Sequence, residues 1–170
     1  MNKLKKNNKP LGLSILIEKM KEEDLDEILA IEKICFPTPW TKGMFLQELS
    51  LDIAFNFVAK AKKNDTIKVV GYVCFWFFAG ETHILNLAVS PEYQSKGIAT
   101  KLLEYVHNLV IKKGGFVVFL EVRPSNKKAL SLYKKMGYKV EGIRKRYYND
   151  TGEDAIIMEK RLQEGKNEKK

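Results

Sequence analysis

The 170-residue sequence predicts a mixed α/β (α+β) fold, one domain over residues 13–162 with a central mixed sheet of about seven strands flanked by four helices. The expected order is β-α-α-β-β-β-α-β-α-β-β. Three observations predict it. Short β-rich runs recur between turn signals, and four stretches place apolar residues at helical spacing. One of those stretches bridges two strongly apolar runs, a crossover that requires parallel pairing inside a sheet otherwise built from hairpins.

The elements follow in order. Leu13 to Met20 reads as a strand; Glu22 to Cys35 sets Leu25, Ile28, Leu29, Ile31 and Ile34 at helical spacing until Pro37 and Pro39 stop it. Thr41 caps a short second helix to about Ser50, burying Met44, Phe45 and Leu49. Ala54 to Lys62 and Lys68 to Phe78 form a hairpin about Asn64 and Asp65. Thr82 to Val89, apolar at nearly every position, is a buried central strand. A helix from Gly97 to about Lys113 follows, closed by Gly114 and Gly115. Phe116 to Val122 is the next buried strand and Asn126 to Met136 a helix. Tyr138 to Tyr148 and Ala155 to Leu162 are the last two strands.

Charge and composition narrow the function. The formal net charge is +9, but six of those charges fall in residues 1–10 and 161–170, so segments 1–12 and 163–170 read as basic or charged tails on a nearly balanced body. Direct nucleic-acid binding by the core is not expected. Cys35 and Cys74 lie 39 apart with no CxxC, so neither a disulfide framework nor a zinc site is indicated. The longest apolar run, Val69 to Ala79, is 11 residues, too short to span a bilayer. With no apolar leader before Glu18, the expected setting is cytoplasmic, without membrane contact.

The stretch Gln94 to Thr100 (QSKGIAT) joins the central strand to the first turn of the long helix. Such an N-terminus offers unpaired N–H groups and the positive end of the dipole, and Gly97 and Ala99 are small enough for a diphosphate to approach. Lys96 and Lys101 either add charge there or are solvated lysines. Neither G-x-x-x-x-G-K-[ST] nor G-x-G-x-x-G occurs. Taken alone, the stretch reads better as a plain helix-entry turn, since glycine so often marks turns.

The run Leu85 to Ala99 (LNLAVSPEYQSKGIA), with its Q-x-x-G-x-A core, resembles the acetyl-CoA motif of the GNAT acyltransferases. Cys35 to Trp40 (CFPTPW), Leu120 to Asn126 (LEVRPSN), Ala129 to Tyr138 (ALSLYKKMGY) and Arg146 to Met158 (RYYNDTGEDAIIM) resemble the RimI-type N-terminal acetyltransferases within that superfamily. Ala99 stands where glycine is frequent. The resemblance implies direct transfer of acetyl from acetyl-CoA to a protein N-terminus, without metal, and as acceptor the N-terminal alanine of the eighteenth small-subunit ribosomal protein.

It also implies roles. Glu121, a carboxylate in an apolar strand, matches the family's proton acceptor; its alternative is a structural pair with Arg123 or Arg146. Tyr133 matches the general acid, or is an aromatic core residue in register with Leu130 and Met136. Leu87, Ala88 and Val89 match the cofactor-binding strand, alongside Ser95, Lys96, Gly97, Ile98, Ala99 and Thr100 of the loop. Asn126 matches a contact to the pantetheine arm, compatible with helix capping. Phe36 and Tyr147, with Trp40 and Tyr148, would flank the acceptor; Phe36 and Trp40 alternatively staple the helix hairpin. His107 is expected to be an exposed helical residue, His83 has no assigned catalysis, and both cysteines read as structural. Other readings stay open: an N-terminal acetyltransferase of broader specificity or a lysine or polyamine acetyltransferase, and a catalytically idle ribosome- or RNA-associated module. One chain with exposed sheet edges suits a monomer or a weak dimer.

Overall fold

The structure, a computed structural model, describes residues 13–162, so both expected tails lie outside the described residues. It contains β1 (Ser14–Lys19), α1 (Leu25–Cys35), α2 (Lys42–Ser50), β2 (Ala54–Lys63), β3 (Thr66–Phe78), β4 (Glu81–Val89), α3 (Ile98–Lys112), β5 (Val117–Val122), α4 (Lys127–Lys135), β6 (Lys139–Arg144) and β7 (Ala155–Arg161), in the expected order. One seven-stranded sheet runs β1-β2-β3-β4-β5-β7-β6. Every adjacent pair is antiparallel except β4 and β5, which α3 connects as a crossover. No described helix is long and apolar enough to cross a membrane.

Helices cover both faces. Leu25 and Ile28 of α1 and Phe45 of α2 pack with Val58 and Tyr72 on one side. On the other, Leu102 and Val106 of α3 and Tyr133 of α4 pack with Val118, Leu120 and Met158. Gly71 lets β3 run close against β4, since a Cβ there would stand 2.9 Å from the Ala88 carbonyl oxygen.

Two features of β4 position everything that follows. Its register against β3 shifts between Cys74 and Phe75, leaving Leu85 without a partner. This bulge turns the strand over: Ile84 faces α3, while Asn86 and Ala88 face α1. The parallel pairing with β5 also stops early, at Ile84 and Leu120, although β4 runs on to Val89 and β5 to Val122. Beyond that point the strands part.

Local differences from expectation have physical causes. Asp24 accepts the Lys21 N–H and closes a 3-10 turn before α1, delaying the helix to Leu25. The strand expected over Tyr138 to Tyr148 ends at Arg144. Arg146 adopts φ 49° and its N–H donates to Asp154, which leads the chain out of the ladder.

His107 is a correction. It is buried at 6% exposure, its Nε2 2.7 Å from the Tyr138 hydroxyl, because Tyr138 at the end of α4 covers that flank of α3. Burial, with the Lys160 charge nearby, lowers its pKa from 6.5 to about 4. The folded state therefore binds fewer protons than the unfolded chain. The stability this contributes is complete above about pH 6.5 and is lost as pH falls toward 4. His107→Gln keeps a partner for Tyr138 without titrating. Unfolding free energies from urea titrations between pH 7 and 4.5 should fall less steeply for it than for the unsubstituted protein, by on the order of 2 kcal/mol over the window.

Candidate active site

The loop after β4 is shaped by two left-handed residues, Ser95 at φ 59° and Gly97 at φ 79°. Only open space lies within 4 Å of where a Gly97 Cβ would stand, so glycine serves backbone shape rather than packing. Gln94 Nε2 donates to the Val89 carbonyl at 3.0 Å and fixes the loop to the end of β4. The first-turn N–H groups of α3 then point out of the helix without intrahelical partners.

A cavity of about 810 Å³ opens here, between the end of α1, the parted end of β4, α3 and α4. Leu87, Ala88, Val89, Ser95, Gly97, Ile98, Ala99, Thr100 and Asn126 line it, as do Phe36 and Tyr133. Lys96 is exposed and outside the lining, while Lys127, Lys128 and Lys135 of the neighbouring helix border it. Helix N-terminus, free strand edge and lysines together suit a long ligand with an anionic end and an amide-bearing arm. Acetyl-CoA has that chemistry. Cys35 Sγ donates to the Val89 carbonyl across 3.5 Å, and Cys74 is fully buried. Burial raises both thiols, well above the ordinary value for Cys74, the opposite of what a thiolate nucleophile needs.

Glu121 stands where β4 and β5 part. Its neighbours Leu120 and Val122 face the α3 core, so alternation sends Glu121 to the opposite face. The carboxylate, 10% exposed, holds His83 Nε2 at 2.5 Å and Arg144 Nη1 at 3.8 Å. The partners anticipated for it, Arg123 and Arg146, lie elsewhere: Arg123 pairs with Asp150 at 2.8 Å, and Arg146 sits in the turn held by Asp154. His83 is the residue that the sequence reading left without a role. Finding it needs the β4–β5 register, which no local pattern encodes.

Tyr133, across the sheet on α4, is buried and packs edge-on against Tyr138, ring centroids 5.6 Å apart. Burial first, and Tyr148 second, push its phenol above the ordinary value, so it stays protonated at neutral pH. Asn126 caps α4, its Oδ1 accepting the Ala129 N–H at 3.1 Å, and also reaches the cavity.

Two loops flank this centre. Between α1 and α2, Glu32 accepts the Trp40 N–H at 2.7 Å, and Trp40 packs against Phe45. Between β6 and β7, Arg123 binds Asp150, lies over the Tyr148 ring at 3.8 Å and reaches Glu153, which also accepts from Ser125. Burial lifts the Tyr148 phenol to about 12. Tyr147 is outside the cavity lining, against Tyr148 and beneath Arg144.

Arg123 and the Ser125 and Arg146 contacts lower the acids Asp150, Glu153 and Asp154 below the ordinary range. The order they lend the loop is therefore present at neutral pH and lost as pH falls through their folded values. Arg123→Ala should speed amide exchange at Tyr148 and Gly152 severalfold at pH 7 while leaving the α3 amides unchanged, measured by hydrogen-exchange mass spectrometry.

Known proteins share this family and fold. The Acetyltransferase (GNAT) family model matches residues 25–138. A putative [ribosomal protein bS18]-alanine N-acetyltransferase of Bacillus subtilis is 37% identical over 142 residues, covering 84% of this chain and 92% of the relative. An N-alpha-acetyltransferase of Saccharolobus solfataricus is 32% identical over 168 residues, 91% and 97% of the two chains. The crystal structure of the ribosomal-protein-S18-alanine N-acetyltransferase from Escherichia coli superposes with a TM-score of 0.78 at 30% identity, over 92% of this chain and all of that one.

Proposed function

The chain belongs to the GNAT acetyltransferase family, and from that premise we propose that it is an N-α-acetyltransferase acting on protein N-termini with acetyl-CoA, its acceptor the N-terminal alanine of small-subunit ribosomal protein bS18. The observation that carries this reading is Glu121. A nearly buried carboxylate at the parting of β4 and β5, with an imidazole 2.5 Å away, lies beside the cavity lining rather than in it and is suited to accept a proton from an amine entering at that gap.

Bound acetyl-CoA supplies the thioester whose acetyl group is transferred. The first-turn amides of α3 and the lysines of α4 would hold its phosphates, and Asn126 and the free edge of β4 its arm. An N-terminal ammonium has a pKa of about 7.7 to 8.0, so removal of its proton by Glu121 needs only a modest base. His83, at 36% side-chain exposure, shares that proton and offers it a route to solvent. As the carbon–nitrogen bond forms and the carbon–sulfur bond breaks, the Tyr133 hydroxyl delivers a proton to the departing sulfur, the attacking nitrogen sheds its second proton by the Glu121 and His83 route, and solvent returns a proton to the phenol. With Cys35 and Cys74 held as thiols by burial, transfer is direct, with both substrates bound at once.

The test is turnover of a peptide with the free alanine terminus of bS18 beside an N-blocked peptide bearing an internal lysine. Turnover of the free-terminus peptide alone is expected. Glu121→Gln should lower kcat by about 10²- to 10⁴-fold and Tyr133→Phe by a comparable factor, with acetyl-CoA still bound. Turnover of the lysine peptide alone would transfer the assignment to side-chain acetylation, and absence of acetyl-CoA binding would overturn the enzyme reading.

A further inference from the structure

Glu32 is 1% exposed, and among the described residues it has no cation as partner. Its partners are all hydrogen-bond donors: the Trp40 N–H at 2.7 Å on Oε2, and Asn86 Nδ2 at 2.5 Å with the Tyr72 hydroxyl on Oε1. Burial raises its pKa, and the Trp40 and Asn86 hydrogen bonds oppose that rise. Packing α1 onto the sheet does not require a carboxylate here, since Leu25 and Ile28, on the same flank, do so with apolar atoms alone.

What the carboxylate adds is a grip on the α1–α2 loop. Pro37 and Pro39 have no N–H, so only Thr38 and Trp40 offer one between Phe36 and Thr41, and Glu32 takes that of Trp40. The contacts close a ring: Trp40 packs on Phe45 at 5.2 Å, Phe45 on Tyr72 at 5.7 Å, and the Tyr72 hydroxyl returns to Glu32. Asn86 ties that ring to β4, three residues before Val89, and Phe36 at the loop's start lines the cavity.

We propose that Glu32 is a positioning residue for the acceptor, fixing the 36–40 loop against β4 and so setting the entrance offered to the acceptor's first side chain. This rests on the N-terminal acetyltransferase reading. Glu32→Met keeps the volume and removes the acceptors. In the full chain it should raise the KM of the alanine-first peptide about tenfold, leave that of acetyl-CoA within about twofold, and weaken the preference for alanine over a bulkier first residue. Glu32→Gln can still accept the Trp40 N–H while Asn86 turns its Oδ1 toward the new amide, and should recover peptide KM to within about threefold. If the Met variant does not fold, Glu32→Asp, too short to reach all three donors, should show the same selective rise. A lower melting temperature with both KM values unchanged, an equal rise in both, or a Gln variant as impaired as Met would overturn the proposal. Failure of the unsubstituted protein to acetylate any free-terminus peptide would overturn the function itself, a result visible before any substitution.

Discussion

Everything in the centre depends on β4 and β5 being paired for four residues and then not at all. A parallel pair that stayed zipped to Val89 would close the cavity and spend the strand's backbone groups on its neighbour. Because pairing stops at Ile84 and Leu120, the edge of β4 from Leu85 onward is left for a ligand, and the bulge at Leu85 supplies the change of face. The same bulge sends Asn86 toward α1 while Leu87 stays with the α3 core. One irregular residue thus decides which side chains join the α3 face and which join the α1 face.

Two glutamates near this gap, Glu32 buried and Glu121 nearly so, show how partners set a carboxylate's use. Glu32 is enclosed by donors that cannot take a proton from substrate, and a structural grip is the work that environment permits. Glu121 has instead a titratable imidazole at hydrogen-bond distance and an arginine at the limit of pairing, and His83 is partly open to solvent. Different partners thus suit one carboxylate to holding a loop and the other to accepting a proton.

Much of this was legible in the chain. Apolar periodicity, Pro37 and Pro39, the Gly114–Gly115 stop and the crossover between two apolar runs are local signals, and the observed element order follows them. The Gln94-to-Thr100 stretch and the motifs bearing Glu121, Tyr133 and Asn126 are short and contiguous, so they could be matched without coordinates. What stayed hidden depends on register and distance. His83 meets Glu121 across a strand pair whose register is not written locally. The Glu32 partners Tyr72 and Asn86 are 40 and 54 residues away, although a glutamate in step with Leu25 and Ile28 on an apolar helix flank was a visible anomaly. His107 read as exposed because nothing near it announces that Tyr138 will cover it. The end of β6 at Arg144 was missed because a side chain, Asp154, draws the backbone away.

Tyr133 and Tyr138 are neighbours with opposite fates, and His107 separates them. Neutral at physiological pH, His107 engages the Tyr138 hydroxyl; among the described residues no such partner engages that of Tyr133, which borders the cavity. Burial raises both phenols, which makes Tyr133 a weaker acid than a tyrosine in water. The surroundings that penalise its anion also penalise a negatively charged sulfur leaving into the same cavity, so the affinity of that sulfur for a proton rises as well. What favours transfer is the difference between the two penalties, not the phenol's absolute acidity. A well-buried tyrosine with an uncommitted hydroxyl is therefore suited to hold its proton through binding and release it only as charge develops on the leaving atom.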